Sequence, residues 1–417
     1  MSSSSADFLT SVPCNKSIKI TKLLLIYLVI CLLALPIYAQ YESGIGTAGS
    51  PYLILTAEQL NEIGNHPGHW NKHFKLIANI NMNDVNEVDF NIIENFTGIF
   101  DGNDCTISNL KISSTLSTST GLFGTVDGEI SNLGLINPKV IAQGGNVGSL
   151  IGSLYHGIIT NCYARRVEVS GSTNVGGLIG KNTGRVTLCW SSGNVSGDSY
   201  VGGLAGLIDD GDLKQCCSRA NVIGNRNVGG IAGKTTDQSS EVMNCYATGT
   251  VEGDRYVGGL VGQVEQGRVY KSYSVGSVTG NRDVGGLTGF IRVLGNVSRS
   301  YWDTQTSGQA TSAGGTGKTT AQMKTMDTYL SGGWDFFATW TICTEINYPT
   351  LLSLIPTPDL VCPDGVNFID FAVLASQWGR ENCSPPSNCQ GADLDQSGIV
   401  DFRDLEIFAQ HWLEGLD

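Results

Sequence analysis

The chain has 417 residues, room for two or three domains and a large core. With 54 glycines and only 15% charged residues it suits a corner-rich β protein, and this excludes a disordered chain, which would carry more charge and proline. A net charge of -13 with no Lys/Arg run after residue 40 argues against a phosphate-backbone binder, so no nucleic-acid partner is expected.

Residues 1–39 read as an export signal. Lys16, Lys19 and Lys22 precede an apolar run from Leu23 to Leu35, and Pro36-Ile37-Tyr38-Ala39 ends on a small residue suited to cleavage. The run is shorter than the roughly 20 residues that span a bilayer. Cleavage is therefore expected, leaving no membrane span and a secreted or cell-surface protein.

Residues 40–95 are expected to form an N-terminal cap. Thr56-Ala57-Glu58-Gln59 is a capping box and predicts a short helix over 56–63. Positions 74–82 alternate in polarity like a strand. Such a cover protects the open end of stacked strands, whose free backbone groups otherwise pair with other molecules.

Residues 96–308 repeat. The phrase Val-Gly-Gly-Leu-x-Gly, or a near copy, stands at 147–152, 175–180, 201–206, 228–233, 257–262 and 284–289, with shorter forms at 121–124 and at Gly98-Ile99-Phe100. The residue before the aliphatic one falls at 98, 121, 149, 177, 203, 230, 259 and 286, in steps of 23, 28, 28, 26, 27, 29 and 27. A period of this size marks stacked units that cannot bury their apolar face alone. No run within a unit reaches helix length, and glycine is a poor helix former. Short runs with glycine corners instead predict a mainly β fold: a parallel β-helix solenoid of about eight rungs, rising about 4.8 Å per rung.

A second column supports that register: Leu110, Leu133, Cys162, Cys189, Cys216, Cys245, Ser272 and Ser300, followed in the later rungs by Tyr163, Trp190, Cys217, Tyr246, Tyr273 and Tyr301. Neighbouring strand residues face opposite ways. The small column is placed inside and the aromatic file on an outer wall, because a narrow coil has no room for stacked rings. The stacked cysteines read as buried small side chains, with disulfides between rungs left open. No C-x-x-C pair points to zinc.

The phrase Val-Gly-Gly-Leu-x-Gly followed by Asn244-Cys245-Tyr246-Ala247-Thr248-Gly249-Thr250-Val251 resembles the GLUG motif repeat of large secreted bacterial proteins. The resemblance implies extracellular or cell-surface placement, sometimes in adhesins or beside a peptidase domain. It assigns no chemistry to the repeats.

Residues 309–358 read as a C-terminal cap and linker. The run Gly314-Gly315-Thr316-Gly317-Lys318-Thr319 falls short of a phosphate loop: Ser312 stands where glycine is needed and no strand–helix unit surrounds it, so no nucleotide is expected. A short helix is expected within 319–330, with Trp334 and Trp340 covering the end of the coil. Pro349, Pro356 and Pro358 mark the linker.

Residues 359–417 fall into two similar halves, expected to form a small α-helical module. The second half follows a calcium-loop scheme: Asp393, Asp395, Ser397, Asp401 and Asp404 at positions 1, 3, 5, 9 and 12, Gly398 at the turn, and Ile399 offering its carbonyl at position 7. Alternate oxygens of a tight loop converge on one point, which suits a hard cation, so Ca2+ is the expected cofactor. The first half keeps Asp359, Asn367 and Asp370, but Val361 and Pro363 occupy ligand positions. Each loop leads into an apolar helix ending in Trp378 or Trp412, through which the helices are expected to pack. Two half-loops each followed by a helix resemble a type I dockerin. That family implies two calcium ions and docking to a cohesin-like protein. The chain departs from it in presenting Phe368-Ile369 and Phe402-Arg403 where small hydroxyl residues often stand. Cys343, Cys362, Cys383 and Cys389 allow three pairings and predict at least one disulfide.

The expected function is an exported, non-catalytic scaffold or adhesion-type β-helix that presents its wall to a polysaccharide or cell-surface ligand. The alternative is a polysaccharide lyase or glycoside hydrolase on the same fold. That chemistry needs convergent carboxylates. Asp198, Asp209, Asp210, Asp212, Asp254 and Asp283 sit mainly at glycine corners, with no paired set in register, so no catalytic residue is assigned.

Overall fold

The computed structural model describes residues 41–83, 85, 90–115, 119–354, 359–361, 366–383, 389–395 and 397–412. The expected export signal, and Pro356, Pro358, Cys362 and Pro363, lie outside the described residues.

The repeats build a parallel β-solenoid of about eight turns with a few helices. On its first wall Ile93, Phe123, Ile151, Ile179, Ala205, Ala232, Val261 and Thr288 are successive register partners. The aliphatic residue just before each forms a single file: Leu150 N–H donates to Leu178 O, Leu178 to Leu204, Leu204 to Ile231, Ile231 to Leu260 and Leu260 to Leu287, at 2.8–3.1 Å. All six side chains are fully buried. Each contributes about 1.5–3 kcal/mol by leaving water. The paired glycines of the phrase are needed because rungs touch there: a methyl on Gly203 would lie 2.2 Å from Gly230 O.

The second wall aligns Phe100, Ile130, Ile159, Val186, Leu213, Val242, Val269 and Val297. A corner strip aligns Val147, Val175, Val201, Val228, Val257 and Val284. The third wall carries the file Tyr163, Trp190, Cys217, Tyr246, Tyr273 and Tyr301.

The small column faces inward. Cys162, Cys189, Cys216 and Cys245 are fully buried free thiols, which settles the question of disulfides between rungs. Each Sγ donates to the carbonyl two residues back, at 3.2–3.3 Å. The hydroxyls of Ser272 and Ser300 repeat the contact at 3.0 and 2.9 Å. Burial pushes the thiols of Cys189, Cys216 and Cys245 well above their usual pKa, so they stay protonated.

Two register assignments are corrected. Ile99 pairs with Glu129 on the second wall, and the first place in the aliphatic file goes to Ile92, whose neighbour Ile93 pairs with Phe123. Gly98 instead belongs to the glycines that open the second wall: its carbonyl accepts Glu129 N–H, as Gly128 O accepts Ile158 N–H. Leu110 likewise leaves the small column, where Cys105 stands, because Thr106 pairs with Gly134.

Helix α1 (Ala57–Gly64) has the expected capping box between Thr56 and Gln59, and its buried Ala57, Leu60 and Ile63 join the core that includes Ile93 and Phe96. The alternating run that follows breaks into His73–Leu76 and Ile80–Asn81. Tyr52–Ile54 pairs in parallel with His73–Leu76, which pairs with Ile99–Asp101, so this segment extends the solenoid as well as covering it.

At the other end Thr316–Lys318 pairs in parallel with Tyr301–Asp303, so the glycine-rich run is a last strand of the coil. Helices α2 (Thr320–Met323) and α3 (Met326–Leu330) follow. The segment then turns back along the third wall, a correction to the expected end cover. The indole of Trp334 donates to Arg299 O at 2.9 Å, and the hydroxyl of Tyr246 meets that of Thr350 at 3.2 Å. With Tyr329, Ile342 and Leu351 this lid forms a second apolar cluster. Beneath it Tyr246, Tyr273 and Tyr301 are only 3%, 1% and 7% exposed. The wall points outward as expected, yet stacked rings on an outer face are apolar surface, and the chain buries them.

Helices α4 (Phe368–Ser376) and α5 (Phe402–Gln410) pack around a small core of Val366, Leu374, Ala392, Val400 and Phe408. Cys383 and Cys389 form a disulfide. Cys343 is disulfide-bonded too. Among the described residues no helix is long and apolar enough to cross a membrane.

Candidate functional site

Two places gather chemistry-bearing side chains. The first is the loop before α5. Carboxylate oxygens of Asp393, Asp395 and Asp404 lie within 4.8 Å of one another. The loop is held by its own amides: Gly398 N–H donates to Asp393 Oδ2 at 3.0 Å and Ser397 N–H to Asp395 Oδ1 at 3.0 Å. Asp404 is fully buried, with Oδ1 accepting Leu394 N–H at 2.6 Å and Oδ2 accepting Asp401 N–H at 2.7 Å. Ser397 Oγ donates to Ile399 O at 3.2 Å, so these two oxygens adjoin each other. Asp401 is drawn away, its Oδ1 capping α5 at Arg403 N–H, 2.8 Å. The ninth loop residue is also the helix N-cap, and the free amides there compete for its carboxylate.

One atom stands out. Asp393 is 3% exposed, and its Oδ1 is buried with no hydrogen-bond partner. An orphaned carboxylate oxygen costs several kcal/mol unless a cation or donor meets it. The donor set is all oxygen and mainly anionic, which suits a hard divalent cation.

The first half copies part of this frame. Asp370 accepts Leu360 N–H at 2.7 Å and Asn367 N–H at 2.9 Å, and Asn367 caps α4 as Asp401 caps α5. Val361 is half exposed where the second loop has Asp395. The two tryptophans pack crosswise: Trp412 meets Phe368 edge-on at 4.9 Å and Trp378 meets Phe402 at 5.1 Å. Phe368, Ile369 and Phe402 remain 76%, 58% and 76% exposed.

The second place is a pocket of about 260 Å³ on the solenoid's outer surface, beside the corner strip. Sequence reasoning missed it, because its residues come from different turns. At one position of each turn the strip adopts a left-handed backbone, occupied by Asn146, Asn174, Tyr200, Asn227, Tyr256 and Asp283. Asn and Asp tolerate that conformation, whereas a bulky side chain pays about 1–2 kcal/mol. Tyr200 and Tyr256 are the two that pay, and both line the pocket. Between them Asn227, 1% exposed, donates to Gln263 Oε1 at 2.6 Å. Glu265 bridges Lys234 and Arg292. Hydrogen bonding to Lys234, with help from Arg292, holds its carboxyl below the usual range despite partial burial.

The six acids singled out from the sequence are engaged. Asp209 pairs with Lys181 at 2.8 Å, Asp212 with Lys214 at 2.9 Å, Asp254 with Arg282 at 2.7 Å and Asp283 with Arg255 at 3.1 Å. Asp198 accepts from Asn225 and Asp210 from Ser239. Lys181 and Thr236 hold Asp209 below the usual carboxylate range, and Asn281 and Arg282 do the same for Asp254.

Comparison with known proteins agrees with this architecture. Residues 224–252 and 253–279 match the profile of the GLUG motif. The chain is 31% identical over 327 residues to halomucin of Haloquadratum walsbyi, across 74% of this chain and 3% of that protein. It is 42% identical over 71 residues, 17% of this chain, to a protein of Evansella cellulosilytica described as a putative Gly-rich membrane protein, of which it spans 8%. The chain thus covers a small fraction of these relatives. A crystal structure of a Bacteroides ovatus protein described as a putative immunoglobulin A1 protease superposes with a TM-score of 0.51 at 23% identity, over 76% of this chain and 96% of that one; this likeness concerns the fold alone. Motif matches and solenoid together fit a GLUG-repeat β-helix protein.

Proposed function

We propose that the chain is an exported, non-catalytic scaffold that presents its solenoid wall to a polysaccharide or cell-surface ligand and ends in a calcium-binding, dockerin-like docking module. The observation that carries the module is the buried, partnerless Oδ1 of Asp393 beside the carboxylates of Asp395 and Asp404. These three groups, with Ser397 Oγ and the Ile399 carbonyl, would hold Ca2+, which would neutralise the clustered carboxylates and meet the buried Asp393 Oδ1. The exposed Phe368, Ile369 and Phe402 would face a cohesin-like partner. Export is supported by the apolar segment at 23–35 and by the Cys383–Cys389 disulfide, a bond favoured in oxidising compartments. The scaffold reading is supported by the ion-paired acids: a general acid needs a raised pKa, and the shifts at Asp209 and Asp254 run downward.

Calorimetry of the full chain tests the module. Calcium is expected to give a saturable heat and raise the melting temperature, and Asp393→Ala to abolish both. Equal heats from the two proteins would remove the loop assignment. A reducing-sugar assay over a polysaccharide panel tests the scaffold reading, and release of new ends would favour an enzyme.

A further inference from the structure

Along the solenoid several cations pair with carboxylates of neighbouring turns, as Lys181 does with Asp209 and Arg282 with Asp254, and the pocket beside the corner strip gathers more cations than its one acid pairs. Arg226, Lys234 and Arg292 border it against a single carboxylate, Glu265, on a chain whose net charge is -13. Glu265 accounts for Lys234 and Arg292. Among the described residues Arg226 has no carboxylate partner; its guanidinium sits 5.3 Å from the ring centre of Tyr256. Arg255 lies over the same ring at 4.4 Å, and Lys234 is 5.5 Å from the ring of Tyr200. The two strained tyrosines therefore serve as supports for cations, an arrangement that stabilises positive charge without neutralising it. Strain kept at two positions of a file otherwise made of Asn and Asp points to a use for those rings.

We propose that this pocket binds the anionic unit of an acidic polysaccharide. Arg226, with the unused donors of Lys234 and Arg292, takes the carboxylate or sulfate group. The Asn227–Gln263 amide pair and Glu265, which line the pocket, offer their remaining donors and acceptors to sugar hydroxyls, and half-buried Phe290, its ring centre 5.0 Å from that of the buried Tyr256, presents apolar surface to a sugar face. At about 260 Å³ the pocket is smaller than the about 300–1,000 Å³ of sites for drug-sized ligands, so it holds one unit of a chain that continues along the open wall. This deepens the ligand-presenting reading of the solenoid and rests on it.

Affinity electrophoresis of the full chain through gels containing polygalacturonate, a sulfated galactan, or a neutral galactan tests the proposal. Retardation by one or both anionic polymers, weakened by added salt and absent in the neutral gel, is expected. The preferred polymer tells carboxylate from sulfate. Arg226→Ala and Tyr256→Asn are each expected to weaken retardation at least tenfold. Tyr256→Asn puts at this left-handed position the residue that other turns carry, but it also removes a buried ring, so its melting temperature is read beside the retardation, and Arg226→Ala, at an exposed side chain, keeps the test independent of folding. Retardation undiminished in both variants would overturn the pocket while leaving the ligand-presenting wall intact. A wild-type chain retarded by neither anionic gel would overturn the anionic ligand as well, and retardation by the neutral galactan alone would do so while leaving the ligand-presenting reading standing.

Discussion

Each turn of the coil bends at a residue forced into the left-handed backbone just before the small column: Asn132, Asn161, Leu188, Gln215, Asn244, Lys271 and Arg299. Asparagine suits that bend because its short amide can bond locally, and Asn161 also donates to Asn132 Oδ1 at 3.0 Å. Leu188 brings neither advantage and is only half buried. Leu188→Asn is therefore expected to stabilise the chain by about 1 kcal/mol, read from the midpoint of urea unfolding. The inward small column was legible in the sequence, since volume alone decides which of two alternating files fits a narrow coil. The left-handed corners were not, because Leu, Lys and Arg stand where the geometry asks for Asn, and only the stacked backbone shows the demand.

Among elements, the lid was least legible. The sequence placed the aromatic file outward and the tryptophans after the coil, but nothing in either run states that one covers the other. Register erred for a related reason: glycine opens the second wall as well as the first, so Gly98-Ile99 imitated the repeat phrase. Fully buried Trp340 lies 6.1 Å from the ring of Tyr246 and 6.0 Å from that of Tyr273. Trp340→Ala is expected to cost about 3–5 kcal/mol and to make the Tyr246 and Tyr273 rings accessible, measurable by denaturation and by binding of a hydrophobic dye. The Lys234–Glu265–Arg292 bridge supplies a pH test. The folded-state pKa of Glu265 is lowered from 4.5, so its contribution is fully present above that value and is lost as pH falls through the lower folded value. The melting-temperature deficit of Glu265→Gln at neutral pH should thus shrink as the solution is acidified and the carboxylate is protonated in both states.

At the scale of the whole molecule the period carried nearly everything: a fixed spacing announces stacking, and stacking fixes which residues share a wall. The candidate pocket lay beyond that logic, since its lining is spread from Tyr200 to Arg292 and no single turn reveals it. The acidic loop is contiguous, so the convergence of Asp393, Asp395 and Asp404 was readable, whereas the diversion of Asp401 to the helix cap was not. The lid also bears on how such a chain can change in length over evolution. The lid's rings and hydrogen bonds are spaced to match the turns bearing Tyr246, Tyr273 and Tyr301, whereas Tyr163 and Trp190, stacked at 4.7 Å, are only partly buried. A duplicated turn inserted near Tyr163 would push nothing out of place, but one inserted between Tyr246 and Tyr301 would pull the clasp off its seats. Gain or loss of turns is therefore expected to be tolerated in the amino-terminal half of the array, with the carboxy-terminal turns as a fixed anchor.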